Sequence, residues 1–253
     1  MYKLLLTVIT AAFLMSAIPQ KPTLYLIGDS TVKNGKDKGD GDLWGWGHYV
    51  GDYFDTTKIA VVNRALGGTS SRTYRTKGLW DSVLSKIQAG DYVIMQFGHN
   101  DGGPLDDTAR ARGTLKGIGD EQQEIYNPVT RQQEVVHTYG WYLTQIIKEA
   151  RAKGATPIVC SPIPRNVWKD GKVARNNQDY GLWAKQVAER EGVAFIDLNT
   201  LIADVYDQEG EAKVAATYFG SKDHTHTIEA GAKLNAGEVI EGVKQLSLKK
   251  YLK

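Results

Sequence analysis

Cysteine is nearly absent from this chain. Cys160 is the only one in 253 residues, so no internal disulfide can form. It ends the apolar run Pro157-Ile158-Val159-Cys160, where a buried thiol packing as a small hydrophobe is expected rather than a nucleophile. An excess of one charge is also missing: 31 Lys and Arg against 29 Asp and Glu leave a formal net charge of +2. No basic block interleaved with aromatics occurs, so nothing points to a nucleic-acid partner. A Gly-x-Gly-x-x-Gly turn is absent after the first apolar run, which argues against a dinucleotide site. The longest apolar stretch, Leu4 to Ala17 behind Met1-Tyr2-Lys3, is too short to span a bilayer comfortably. It reads as a secretory signal peptide over residues 1–19, cut near Ala17 to Gln20, with no cysteine at the junction to carry a lipid anchor. Export to the periplasm or beyond is therefore expected. Neither an internal repeat nor a linker follows, and residues 20–253 read as one domain.

Short apolar runs at Thr23–Ile27, Ile59–Val62, Tyr92–Phe97, Pro157–Cys160 and Ala194–Ile196 alternate with helical patterns. The clearest helix places Val135, Val136, Tyr139, Tyr142, Leu143, Ile146, Ile147 and Ala150 on one face and stops at Gly154. A second has Tyr180, Trp183, Ala184, Val187 and Ala188 before Gly192, and a third has Ala236, Val239, Ile240, Val243 and Leu246. Five continuously apolar strands alternating with helices predict an α/β fold, a three-layer sandwich with a five-stranded parallel sheet. Between Asn100 and Glu134 the periodicity lapses, and this insertion (residues 101–133) is expected to form a wall of a cleft.

Gly28-Asp29-Ser30-Thr31 directly follows the first predicted strand, which sets a serine hydroxyl at the carboxyl edge of a buried sheet, where open α/β sheets bind their ligands. Serine becomes nucleophilic only when a base takes its proton, and a histidine held by a carboxylate is the usual base. Asp223 and His226 stand three residues apart before the last helix. An N-capping carboxylate beside a solvated histidine would give the same spacing, and Asp223, His224 and His226 also resemble part of a zinc site, although no second ligand cluster is evident. An oxyanion needs preorganised donors. Gly68 after the second strand offers a backbone N–H and Asn100 after the third a side-chain amide, while Ser30 supplies its own N–H.

These motifs, in this order, resemble the SGNH (GDSL) hydrolase superfamily, with Ser30, Gly68, Asn100 and His226 at its four defining positions. Ile27-Gly28-Asp29-Ser30-Thr31-Val32, Gly45-Trp46-Gly47, Asn63 through Tyr74, Gly98-His99-Asn100-Asp101 and Asp223-His224-Thr225-His226-Thr227 are similar to rhamnogalacturonan acetylesterases. The resemblance implies a flavodoxin-like sheet of order 2-1-3-4-5, with no cofactor and no metal. It implies Ser30, Asp223 and His226 as catalytic residues, and Ser30, Gly68 and Asn100 as the oxyanion hole. The implied substrate is the acetylated galacturonate-rhamnose backbone of pectin, as polysaccharide or oligosaccharide. Arginine reads carboxylates bidentately, which makes Arg72, Arg75 and Arg165 candidate substrate contacts; Trp46, Tyr74 and Trp168 are candidates for stacking on sugars. A monomer is expected, with no nucleic-acid partner and no membrane association after the leader is removed. The alternatives are an esterase of another substrate, such as acetylxylan, a lipid or a thioester, and a catalytically inert carbohydrate-binding protein on the same scaffold.

Overall fold

Five apolar segments form one parallel sheet: β1 (Thr23–Gly28), β2 (Ala60–Asn63), β3 (Tyr92–Gln96), β6 (Thr156–Cys160) and β9 (Ala194–Ile196), in the spatial order β2-β1-β3-β6-β9. The remaining strands form two hairpins, β4 (Gln122–Asn127) with β5 (Gln132–His137) and β7 (Trp168–Lys169) with β8 (Lys172–Val173). The computed structural model describes residues 21–35, 42–221 and 223–253; the leader expected over residues 1–19 lies outside the described residues. The sheet order is the one expected from the sequence. Register aligns Gly28 with Gln96 and Cys160 with Ile196, which brings the carboxyl ends of the central strands level.

Successive side chains on a strand alternate between faces. Leu24, Leu26, Ile94, Ile158 and Cys160 face one layer, containing Trp46, Phe54, Ile202, Tyr206, Ala236 and Val239. Tyr25, Ile27, Val93, Met95 and Val159 face the other, with Tyr74, Trp80, Leu143, Ile146, Ile147 and Val187. Helices α5 (Leu198–Glu209) and α7 (Glu229–Val243) supply the first layer, with α6 (Glu211–Tyr218) at its margin. Helices α1 (Ser71–Thr76), α2 (Leu79–Leu84), α3 (Tyr139–Ala152) and α4 (Tyr180–Glu191) supply the second. With both faces covered, the strands carry unbroken apolar runs.

Two expectations require correction. Val135 and Val136 lie in β5, and α3 starts only at Tyr139. The hydroxyl of Thr138 accepts the Trp141 amide at 3.0 Å and sets that boundary, while the two β-branched residues before it suit a strand. The insertion is not structureless, because β4 and the first two residues of β5 fall within it. The described part of the β1–β2 crossover contains 3-10 turns at Trp46–His48 and Val50–Tyr53 and no α-helix.

Candidate active site

β1 ends at Gly28 because the chain there runs against its neighbours: a Cβ would lie 2.5 Å from the Gln96 carbonyl oxygen and 2.7 Å from Val32. The next residue, Asp29, is fully buried and closes the turn around Ser30, its Oδ1 accepting from the amide and the hydroxyl of Thr31 at 2.8 Å each. Ser30 is left at the sheet edge, half-buried, with its Oγ 2.7 Å from His226 Nε2. His226 Nδ1 lies 2.7 Å from Asp223 Oδ2. A carboxylate only accepts, so Nδ1 carries the proton and Nε2 is free to receive one from Ser30.

The sequence left a helix-capping role and a catalytic role for Asp223 as rivals; in the structure its two oxygens serve the turn and the imidazole. Oδ1 accepts the amides of Thr225 and His226 at 2.7 and 2.9 Å and folds the turn; Oδ2 holds the imidazole. Asp223 does not cap the last helix, whose N-cap is Ile228. Partial burial pushes its carboxyl up, but the two amides and His226 outweigh this and hold it below the usual carboxylate range. His224 is exposed and does not line the cavity that holds Ser30; its carbonyl accepts the Asn166 amide at 2.7 Å.

Ser30, Gly68, Asn100 and His226 line one cavity of about 330 Å³, together with His99, Thr225, Arg110, Arg112 and Arg165. Gly68 has φ of 77°, a left-handed conformation that favours glycine. One proton of the Asn100 amide is donated to the Thr69 carbonyl at 2.8 Å, which fixes the side chain and leaves the second proton for a ligand.

Beneath this floor lie two more carboxyl-bearing contacts. His99 Nε2 lies 3.0 Å from the Ile163 carbonyl and so carries a proton, while Nδ1 faces Asp29 Oδ2 at 3.4 Å, an ion-pair separation rather than a hydrogen bond. Asp101 Oδ1 accepts the amide and hydroxyl of Ser71 at 2.9 and 2.5 Å, tying the turn after β3 that bears Asn100 to the helix that follows Gly68. Burial, with a further push from Asp29, raises the Asp101 carboxyl to about 7 despite the Ser71 donors.

A group whose folded pKa lies above its unfolded value keeps its proton longer in the folded chain. Its stabilising contribution is complete below the ordinary value near 4 and is lost as pH rises through about 7. Asp101→Asn keeps an oxygen acceptor for Ser71 and removes the titration. The Tm of this variant relative to wild type is expected to rise between about pH 4 and pH 7 and to level off above that; a difference independent of pH would show that Asp101 does not titrate there.

Of the proposed substrate contacts, only Arg165 reaches the cavity; it donates to Thr225 Oγ1 at 2.7 Å and to the His99 carbonyl at 3.2 Å. Arg72 is fully buried and paired twice with Glu134 at 2.7 Å, and it also donates to the Leu105 and Gly113 carbonyls. Arg75 pairs with Glu149 on α3 at 2.6 and 3.0 Å. Trp46 is buried with its Nε1 on Gln96 Oε1, and Tyr74 is buried with its hydroxyl on the Arg64 carbonyl. None of these four is placed to meet a sugar; each is a strut or core side chain. Trp168 packs against the core layer of α5 and α7, its Nε1 donating to Asn166. Arg110 and Arg112 were missed because a loop without periodicity gives no direction to its side chains. Between them Ala111 is buried with φ of 42°, a left-handed conformation uncommon for a residue with a Cβ. Such geometry persists where the surroundings dictate it, and the arginines on either side both line the cavity that holds Ser30.

Sheet order and site together define an α/β ester hydrolase. The chain belongs to the GDSL-like Lipase/Acylhydrolase family, whose profile matches residues 26–234. It is 33% identical to a rhamnogalacturonan acetylesterase of Emericella nidulans over 92% of this chain and 88% of that protein. It is 34% identical to a probable rhamnogalacturonan acetylesterase of Bacillus subtilis, YesY, over 89% of this chain and 94% of the relative. The crystal structure of YxiM from Bacillus subtilis superposes with a TM-score of 0.72 at 25% identity, covering 89% of this chain; the chain spans 57% of that longer protein. An acetylxylan esterase from Geobacillus stearothermophilus shares the fold, with a TM-score of 0.58 at 19% identity over 88% of this chain and 94% of that one.

Proposed function

We propose that this enzyme removes O-acetyl groups from an acidic polysaccharide, the rhamnogalacturonan backbone of pectin, by a Ser30-His226-Asp223 mechanism. Ser30 Oγ attacks the acetyl carbonyl as its proton passes to His226 Nε2. Asp223 steadies the imidazolium. The oxyanion is held by the amides of Ser30 and Gly68 and by the free proton of the Asn100 side chain. Collapse of the tetrahedral adduct breaks the ester bond, and His226 returns the proton to the departing sugar alkoxide. A water then loses a proton to His226, attacks the acetyl-serine, and releases acetate with Ser30 restored.

The observation that carries the acidic substrate is the arginine lining. Arg110, Arg112 and Arg165 surround the serine, and among the described residues no carboxylate lines the same cavity. Burial, followed by the neighbouring charge of Arg110, lowers the Arg112 pKa; two cations side by side are a standing cost that a bound anion would relieve. The names of the two acetylesterase relatives from Emericella nidulans and Bacillus subtilis support the same substrate. Export through the N-terminal leader, and action as a monomer, belong to this proposal.

Acetate release from acetylated rhamnogalacturonan set against acetylated xylan tests the reading, and preference for xylan would reject it. Arg112→Ala is expected to lower kcat/KM on acetylated rhamnogalacturonan by about one to two orders of magnitude, the equivalent of roughly 1.5–3 kcal/mol for a hydrogen bond to a charged group. The loss on p-nitrophenyl acetate, which has no carboxylate, should be small, and Lys should rescue only in part because it lacks the two-pronged geometry. Equal losses on both substrates would mean that Arg112 supports the Gly68 loop, whose carbonyl lies 3.4 Å from its Nη1. Arg165 is a poorer probe, since it also holds the catalytic turn through Thr225.

A further inference from the structure

Asp223 and His226 are not the only carboxylate and imidazole set face to face near Ser30. A second pair, Asp29 and His99, lies beneath the cavity floor and has no part in the mechanism derived above. Asp29 is fully buried and immediately precedes the nucleophile. His99 immediately precedes Asn100, so the pair abuts two of the three proposed oxyanion donors. The residue borders the cavity, but its side chain is only 3% exposed, and the ring does not offer itself to a substrate.

The acceptors around the ring decide where its protons lie. Nε2 sits 3.0 Å from the Ile163 carbonyl, which can only accept. Nδ1 sits 3.4 Å from Asp29 Oδ2, and both of these atoms are buried with no other hydrogen-bond partner. A neutral imidazole has a single N–H, and its second nitrogen would turn a lone pair on the carboxylate. Asp29 itself is ionised: burial pushes its carboxyl up, but His99 and the Thr31 amide and hydroxyl outweigh this and hold it below the usual carboxylate range. Other charged groups nearby have partners elsewhere, Asp101 Oδ1 on Ser71 and Arg165 on Thr225 and the His99 carbonyl. A buried charge left unpaired is costly anywhere. Here it would also oppose the chemistry, because the negative oxyanion forms at the amide of the very next residue.

We propose that His99 is held as an imidazolium that cancels the Asp29 charge beneath the oxyanion hole. Asp29 Oδ1 folds the nucleophile turn, and His99 offsets the anion that this turn requires. It is a positioning residue, acting on the reaction through Asp29. The inference rests on the proposed serine mechanism and deepens it.

The test is run on p-nitrophenyl acetate, which does not depend on the polysaccharide. His99→Gln keeps a donor for the Ile163 carbonyl and removes the cation. Like charges about 7 Å apart at an effective dielectric constant of about 20 change a rate by roughly tenfold to a hundredfold, so kcat should fall by that factor with KM within about twofold. Asp29→Asn keeps an oxygen for the Thr31 donors and removes the anion. With both changes made, neither charge remains, and kcat should recover at least about threefold over His99→Gln alone. A packing role predicts the opposite, a double variant as slow as His99→Gln or slower, and that result would overturn the inference. The wild-type chain carries the same test should the variants fold poorly. In NMR spectra of isotope-labelled histidine at the pH of the assay, both ring nitrogens of His99 should bear protons, and a singly protonated ring would overturn the inference. An active Ser30→Ala enzyme would overturn the serine mechanism and this inference with it; an inactive one, with no recovery in the double variant, would overturn this inference alone.

Discussion

Ser30→Ala is expected to abolish hydrolysis of p-nitrophenyl acetate, a loss on the order of a thousandfold to a millionfold, with circular dichroism and Tm close to wild type. The change removes one hydroxyl at a half-buried turn whose closure depends on Asp29 and Thr31, not on Ser30 Oγ. His226→Ala should fall by a similar factor, because nucleophile and base act as one unit at 2.7 Å. His224→Ala should lose far less, since that side chain is exposed and its ordered contact is through the main chain. A Ser30→Ala enzyme that kept a tenth of its rate would rule out the serine mechanism; a reversed ranking of the two histidines would reassign the base.

The second large effect is on stability. Arg72→Ala strips Glu134 of both its guanidinium contacts and the Leu105 and Gly113 carbonyls of their donor. Breaking a buried pair by removing one partner costs about 3–5 kcal/mol. For a chain of this size each kcal/mol lowers Tm by roughly 2–4 °C, so thermal denaturation should show a drop of roughly 6–20 °C. Leu105 and Gly113 flank the segment that carries Arg110 and Arg112, so loss of the arginine loop's function on polysaccharide should accompany the thermal loss. A Tm within about 2 °C of wild type would show that the clamp is dispensable.

The strands and the turns that carry the candidate triad were legible in the sequence because both are local. An apolar run of five residues, or Asp and His three apart, carries its geometry in its own spacing. The arginines were not legible in this way. Arg72 stands immediately after the glycine-rich loop, as a substrate arginine would, but its partner Glu134 is 62 positions away and nothing nearby announces it. Arg110 and Arg112 sit in a loop whose direction is set by the buried Ala111 and the Arg72 clamp, both tertiary effects. The pair of valines before α3 continued a helical pattern by chance, and the capping threonine at 138 was the signal that should have ended it. The cavity beside that of Ser30, which shares His99 and Arg165, had no sequence mark at all, because it is assembled from the turn after β3, the segment after β6, the residues after β8 and the start of α4.

Asp223 binds its turn with one oxygen and the imidazole with the other. Folding of residues 223–226 and arming of the base are therefore a single event. Acid that protonates this carboxyl weakens the acceptor for the Thr225 and His226 amides at the same moment that it frees the ring to rotate. Because that carboxyl is held below the usual carboxylate range, the turn and the ring are expected to come loose together only in strong acid.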